Sequence, residues 1–145
     1  MLTTQALIGA WTLREWQVES AGSGRFAWPF GRDADGLLVY ADSGWMSATL
    51  SQRARSTMPA ASMRQADEVA RARIVTEYLA YAGRWSIDGD TVVHSVTLSL
   101  NPTLIGTEQR RRAHLAGAEL TLSASETDGG KTRHHHLRWT RRSTA

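Results

Sequence analysis

Residues 91–100 read Thr-Val-Val-His-Ser-Val-Thr-Leu-Ser-Leu, the clearest indication of secondary structure in the sequence. Apolar side chains and one histidine occupy alternate positions: Val92, His94, Val96, Leu98 and Leu100. The intervening positions are mostly Thr and Ser. Successive side chains of a β-strand point to opposite faces, so the alternation predicts a strand with one apolar face. We expect that face, His94 and Leu98 included, to point into the protein.

Similar alternating runs lie on both sides of this strand, and short Gly-containing turns separate them. The turns are Ser43-Gly44, Asp88-Gly89-Asp90, Ala116-Gly117-Ala118 and Asp128-Gly129-Gly130. Gly and Asp suit the tight turns that join antiparallel neighbours. A meander of eight or nine strands avoids exposed edges by closing on itself. We therefore predict an all-β fold, a single antiparallel up-and-down β-barrel of about eight to nine strands, spanning residues 1–145 as one domain.

One segment interrupts the alternation. Residues 52–61 are small and polar and include Pro59, which predicts a loop. The following residues lack Gly and Pro, and Val69, Ala72 and Thr76 recur at helical spacing. We predict a short mid-chain helix from about Ser62 to about Thr76 that covers one mouth of the barrel.

Composition restricts the classes of function. The chain has 41% hydrophobic and 21% charged residues, as ordinary globular proteins do. It has no cysteine, which excludes disulfides, cysteine-ligated iron–sulfur clusters and thiol chemistry. The net charge is +3, but no basic helix or nucleic-acid motif accompanies it. We expect a cytoplasmic protein that binds neither nucleic acid nor membrane.

The segment Leu7–Leu13 contains Gly9-Ala10-Trp11, which resembles the Gly-x-Trp opening of the first strand in lipocalins. In that superfamily, the tryptophan closes one end of the barrel beneath an arginine of the last strand. The resemblance implies that Arg141 lies against Trp11.

Further motifs extend the resemblance over about residues 6–140. In chain order they are Gly36–Tyr40, Ser43–Ser47, Tyr81–Trp85, Asp88–His94, Ser99–Pro102 and Gly106–Gln109. Their order is similar to that of the bacterial and fungal lipocalin-like domain family of small cytosolic barrels. The resemblance implies a lipocalin-like barrel with a ligand cavity. It implies little about chemistry, although related barrels act as cyclases.

Strand parity predicts a polar patch inside the barrel. On the strand that follows Leu100, Gln109 and Arg111 share a face with apolar residues, so they should point inward with His94. A hairpin that turns near Thr103 sets Arg111 roughly opposite Val96. His94, Gln109 and Arg111 would then converge.

Each residue of this patch has two interpretations. Arg111 binds a ligand carboxylate, enolate or carbonyl oxygen, or it is satisfied by backbone carbonyls at the rim. Glu15 and Glu77 are alternative partners for its charge. His94 is a general acid or base, or a core histidine bonded to a tyrosine or water.

Aromatic residues are numerous, with six tryptophans in 145 residues. Large rings with a few polar groups are typical of ligand pockets. The predicted aromatic wall consists of Trp28, Phe30, Tyr40, Trp45, Tyr78, Tyr81 and Trp85. The hydroxyls of Tyr78 and Tyr81 are further candidates to polarise a ligand carbonyl.

The run His134-His135-His136 invites a metal interpretation, because alternate residues of a strand share a face. No third ligand is evident near His134 and His136, so we expect no metal. Phosphate-loop and dinucleotide motifs are missing from the sequence as well. We expect no cofactor.

Two functions remain. The barrel binds a small, largely apolar molecule, or it is a cofactor-independent isomerase or cyclase of a polyketide-like or terpenoid-like secondary metabolite. In the second case Arg111 stabilises an enolate, while His94 or Tyr81 moves a proton. The expected partner is a small hydrophobic molecule in either case, and a homodimer is one option for the assembly.

Overall fold

The computed structural model describes residues 1–143, which contain nine β-strands and two short α-helices. The strands are β1 (Gly9–Ser20), β2 (Arg25–Ala27), β3 (Asp35–Tyr40), β4 (Trp45–Ser51), β5 (Tyr78–Asp88), β6 (Thr91–Ser99), β7 (Glu108–Ala116), β8 (Glu119–Asp128) and β9 (Lys131–Arg141). The helices are α1 (Thr4–Leu7) and α2 (Glu68–Val75), and a single 3-10 turn covers Pro102–Leu104.

The strands form one antiparallel sheet that closes on itself. From β3 to β9, each strand pairs with the next in the chain, and β1 pairs with both β3 and β9. Within residues 1–143 the result is an eight-stranded barrel, with β2 as an extra strand on β1. The predicted all-β barrel with a short helix is confirmed.

One end of the barrel is closed by aromatic residues and an arginine. Trp11 and Trp139 are almost fully buried there. The guanidinium carbon of Arg141 lies 4.2 Å from the centre of the Trp11 ring. Arg141 also donates hydrogen bonds to the carbonyl oxygens of Ile8, at 2.9 Å, and Ala6. The expected pairing of Arg141 with Trp11 is confirmed.

The mid-chain helix is shorter than predicted. It begins at Glu68 rather than near Ser62, because Asp67 caps it by accepting a hydrogen bond from the backbone N–H of Ala70 at 2.8 Å. Residues 62–66 form turns instead. Helix α2 lies beside β5, where Val75 shares an outer groove with Tyr78.

A β-bulge between β5 and β6 corrects one predicted side-chain direction. Ala82 pairs with Leu98 but Gly83 pairs with Val96, so Thr97 is an extra residue on β6. The alternation therefore reverses after Val96, and Leu98 points outward with 68% of its surface exposed. The prediction that Leu98 faces the interior was wrong.

The β6–β7 connection corrects a predicted register. Arg111 pairs with Val92, and Gln109 pairs with His94. The predicted neighbour of Arg111, Val96, instead pairs with Thr107 through the hydrogen bond from its N–H to the Thr107 carbonyl. The difference is four residues, an even number, so the predicted inward faces of β6 up to Val96 and of β7 are unchanged.

No helix within residues 1–143 combines the length and apolar character that crossing a membrane requires. The cytoplasmic location stays a prediction.

Candidate functional site

A cavity of about 260 Å³ lies inside the barrel, and we call it the central cavity. About half of its wall is aliphatic: Leu38, Ala48, Leu50, Leu79, Leu104, Leu122, Ala124 and Leu137. The remaining wall is aromatic or polar: Trp16, Tyr81, His94, Gln109, Arg111, Ser125, Glu126, His135 and Trp139. Ligand pockets of this type combine an apolar wall with a few placed polar groups.

Four of the predicted site residues lie together on this wall. Tyr81 comes from β5, His94 from β6, and Gln109 and Arg111 from β7, three strands that are neighbours in the sheet. His94 and Gln109 are directly opposite each other in the register. Strand alternation therefore brings this group together without any loop.

Tyr40 and Trp85 lie in the core behind the cavity wall. Their ring centres are 4.6 Å apart, and both side chains are buried. Trp85 Nε1 donates to the carbonyl oxygen of Ala41 at 3.0 Å. Neither ring is among the described residues that line the central cavity, so Tyr40 and Trp85 contact the site residues from the core side.

Trp45 and Tyr78 lie outside the barrel, contrary to the predicted aromatic wall. Met46 and Ala48 face inward on β4, so Trp45 faces outward, where it is 46% exposed and stacks under Arg84 at 4.3 Å. On β5, Tyr81 faces inward and Tyr78 therefore faces outward. Both predictions were wrong for the same reason, because each residue occupies an outward position in the alternation of its strand.

Trp28 also lies away from the central cavity. It follows β2 and sits between Glu15 and Arg32. Its Nε1 donates to Glu15 at 3.0 Å, and the Arg32 guanidinium covers its ring at 3.8 Å. Phe30 is buried in the core and packs edge-on against Trp16, 5.1 Å between ring centres.

The imidazole of His94 is held between two phenols. Tyr40 Oη lies 2.6 Å from Nε2, and Tyr81 Oη lies 2.6 Å from Nδ1. A neutral imidazole donates through one nitrogen and accepts through the other. Within residues 1–143, His94 is the only hydrogen-bond partner of the buried Tyr40 hydroxyl. Only one arrangement leaves no buried proton unpaired. In it the Tyr40 hydroxyl donates to Nε2 of His94, and the protonated Nδ1 donates to the Tyr81 oxygen. The Tyr81 O–H is then directed to the cavity.

Burial keeps the hydrogen-bonded group of Tyr40, His94 and Tyr81 uncharged. Burial, aided by the nearby positive charge of Arg111, lowers the pKa of His94 to about 3. Burial also raises the pKa of Tyr40 and that of Tyr81 above the usual value of a phenol. At neutral pH the three groups are an imidazole and two phenols.

Arg111 has no acidic partner within residues 1–143. Its Nη2 donates to Gln109 Oε1 at 3.2 Å, and its Nη1 donates to the Arg110 carbonyl at 3.1 Å. Gln109 is fixed in turn by its bond to Thr107 Oγ1 at 2.9 Å. Arg111 therefore donates to one backbone carbonyl, as the interpretation without a ligand expected. Its positive charge still has no carboxylate partner on the cavity wall.

The two acids considered as partners for Arg111 are bound elsewhere. Glu15 accepts from Arg138 at 3.1 Å, and the hydrogen bond from Trp28, followed by Arg138, lowers its pKa despite partial burial. Glu77 accepts from Ser56, and these bonds, together with Arg55, lower its pKa. Neither acid lines the central cavity.

The sequence reasoning missed a second polar chain on the wall. Trp16 Nε1 donates to His135 Nδ1 at 3.1 Å, so the His135 proton is on Nε2, which donates to Glu126 Oε1 at 2.9 Å. The alternation of His135 with Leu137 and Trp139 was the signal that placed it inward. Trp139 adds a buried indole Nε1–H that has no partner within the described chain.

The other two histidines of the run point away from the cavity. His134 Nδ1 lies 2.7 Å from Ser125 Oγ, and His136 Nδ1 lies 3.3 Å from Ser123 Oγ. No group of three or more His, Asp or Glu side chains in residues 1–143 is arranged to hold a metal ion.

A family model described as a lipocalin-like domain matches residues 8–142. No curated protein and no solved structure matches the chain.

Proposed function

Because the chain belongs to the family of lipocalin-like domains, we propose that its barrel binds a small, largely apolar molecule in the central cavity. The cavity itself carries the proposal: its volume is about 260 Å³ and most of its wall is aliphatic or aromatic. Burial of apolar ligand surface against such a wall is favourable at about 25 cal/mol per Å². The small volume favours a compact ligand over a long acyl chain.

The residues proposed to contact the ligand are Tyr81, His94, Gln109 and Arg111 on one side. Trp16, Leu122 and His135 are proposed contacts on the other strands of the wall. In this proposal the apolar wall supplies affinity, and the polar group selects and orients the ligand. Tyr40 and Trp85 act indirectly, by fixing His94 and the core behind it.

A second candidate function is a cofactor-independent isomerase or cyclase acting on a polyketide-like or terpenoid-like secondary metabolite. The observation in its favour is the position of two hydrogen-bond donors, Tyr81 and Arg111, on the wall of a largely apolar cavity. Such donors stabilise an enolate as it forms. The chain from Tyr81 through His94 ends at buried Tyr40, so a proton passed along it would leave a buried phenolate. A proton taken up by these groups would instead make a buried imidazolium, which the lowered pKa of His94 opposes. Both considerations argue for electrostatic stabilisation rather than for His94 as the general acid or base.

Native mass spectrometry of freshly purified protein, followed by denaturation and extraction, tests the first proposal. A co-purified molecule at one copy per chain supports it and identifies the chemical class. Incubation of the extracted molecule with fresh protein then separates the two functions. A changed mass or isomer, absent with an Arg111→Met variant, supports the enzyme, and an unchanged molecule supports binding alone.

A further inference from the structure

We infer that the molecule bound in the central cavity is a compact apolar acid, whose carboxylate or enolate oxygen is held by the Tyr81 hydroxyl and the Arg111 guanidinium. The inference rests on the proposed function and names the chemical class of its ligand. It follows from which polar groups on the cavity wall donate hydrogen bonds and which accept them.

Tyr81 is a donor toward the cavity because of the direction of the chain behind it. Tyr40 has only His94 to bond within the described residues, so it donates to Nε2. The remaining imidazole proton occupies Nδ1 and is donated to Tyr81 Oη, 2.6 Å away. The Tyr81 oxygen therefore already accepts a bond, and its own proton is available to the ligand.

Arg111 also has N–H groups that can donate to a ligand. A guanidinium has five N–H groups and no acceptor. Two of these bonds go to neutral oxygens, on Gln109 and on the Arg110 backbone, and none goes to a carboxylate in residues 1–143. A positive charge beside an apolar cavity is stabilised best by an anion, which forms charge-assisted hydrogen bonds.

Acceptors on this part of the wall are already occupied. Gln109 Oε1 accepts from Arg111, and His94 Nε2 accepts from Tyr40. Trp139 contributes another donor, because its buried Nε1–H has no partner in the described chain. A buried donor without an acceptor costs about 1–3 kcal/mol. The part of the wall around Tyr81 and Arg111 therefore has no free acceptor among the groups named here, and the ligand is expected to supply one.

One carboxylate on the wall sets the orientation. Glu126 lies towards the end of β8, and its side chain is 57% exposed and bonded to His135. Its negative charge disfavours a second anion nearby. We expect the acidic oxygen to point toward Tyr81 and Arg111 and the apolar part of the ligand to fill the Leu122 side.

Paired probes test the inference by isothermal titration calorimetry at pH 7.5. The pairs are 1-naphthoate with 1-naphthalenemethanol and octanoate with 1-octanol, which differ in charge but little in shape. The acid is expected to bind the unchanged protein at least tenfold more tightly than its alcohol. Arg111→Met is expected to lower the affinity for the acid at least tenfold and the affinity for the alcohol less than threefold. Tyr81→Phe is expected to lower the affinity for the acid three- to tenfold.

Two control variants make the same chemical change outside the cavity. Arg110→Met removes an arginine that faces outward on the same strand and pairs with Asp88. Tyr78→Phe removes an outward phenol of β5. Both controls are expected to leave the affinity for the acid within a factor of two.

The outcomes separate this inference from the proposed function. Equal affinity for acid and alcohol in both pairs, unchanged by Arg111→Met, overturns the inference and leaves the proposed function standing. Failure of both acids and both alcohols to bind protein that carries no co-purified molecule contradicts the proposed function itself.

Discussion

The Tyr40 hydroxyl lies 2.6 Å from Nε2 of His94, and both side chains are 99% buried. The contact joins β3 to β6, two strands that are not neighbours in the sheet. It therefore crosses the interior of the barrel beside the central cavity. The position of His94, and through it that of Tyr81, depends on a residue that does not line the cavity.

We predict that Tyr40→Phe destabilises the fold more than Tyr81→Phe. Loss of the Tyr40 hydroxyl leaves Nε2 of His94 buried without a donor, which costs about 1–3 kcal/mol. Loss of the Tyr81 hydroxyl leaves Nδ1 beside the cavity, where water can replace the phenol. Urea unfolding at pH 7.5 measures both free energies, and a larger loss for Tyr81→Phe would contradict the assigned direction of the chain.

The lowered pKa of His94 predicts acid sensitivity. The group has a pKa near 6.5 when unfolded and about 3 when folded, so only the unfolded chain takes up this proton between those values. Its contribution to stability is complete above about pH 6.5 and is lost as the pH falls toward 3. The loss is on the order of 1 kcal/mol per pH unit over most of that range.

His94→Gln isolates this effect, because the carboxylates are the same in both proteins. Urea midpoints measured from pH 7.5 to pH 4.5 should fall more steeply for the unchanged protein than for the variant. Parallel curves of urea midpoint against pH would mean that protonation of His94 does not govern the loss of stability in acid.

Arg141 is expected to stabilise the closed end of the barrel. Its guanidinium covers Trp11 and donates to two backbone carbonyls, at Ile8 and Ala6. Loss of the stacking and of the charged donors by Arg141→Ala should lower the free energy of unfolding by about 2–4 kcal/mol. Arg142→Ala is the matched control, since Arg142 is exposed and its backbone bond to Ala10 is retained. Equal stability of the two variants would refute the role given to Arg141.

The sequence predicted the barrel because the alternation of residues repeats in almost every strand. It also predicted the convergence of His94, Gln109 and Arg111, since strand parity alone decides which face each residue joins.

The sequence prediction failed for Leu98, because a bulge depends on one extra residue that a period-two pattern does not reveal. It failed for Trp45 and Tyr78 because aromatic character was given more weight than parity. The interpretation of His94 as a core histidine bonded to a tyrosine is confirmed, but the pattern could not predict that Tyr40 is a partner, because this contact crosses the barrel and depends on its closure.

The bulge itself gives a further prediction, at Gly83. A Cβ added there would lie 1.9 Å from the Ser95 carbonyl oxygen, a clash with backbone that no rotamer relieves. Gly83→Ala should therefore destabilise the protein by about 3 kcal/mol or more. Gly89→Ala is the control, because a Cβ meets nothing within 4 Å there and only the positive φ of 63° opposes it. Its cost should be about 1–2 kcal/mol. Thermal unfolding followed by circular dichroism ranks the two, and a smaller effect at Gly83 would argue against the bulge.

Ala124→Phe tests whether the central cavity, rather than an outer groove, is the binding site. Ala124 lines the cavity on β8, so a phenyl group there takes up space that the ligand needs. The open volume accommodates the ring, so the free energy of unfolding should change by less than about 1.5 kcal/mol. Affinity for 1-naphthoate should fall at least tenfold, while Ala116→Phe on the exposed end of β7 should leave it unchanged. Retained affinity in Ala124→Phe would move the site away from Ala124, toward the outer groove beside Val75 and Leu100, which shares Leu79 and Leu104 with the central cavity. A loss of affinity with unchanged stability would mean that the space inside the barrel is functional, since filling a purely structural void would not reduce binding.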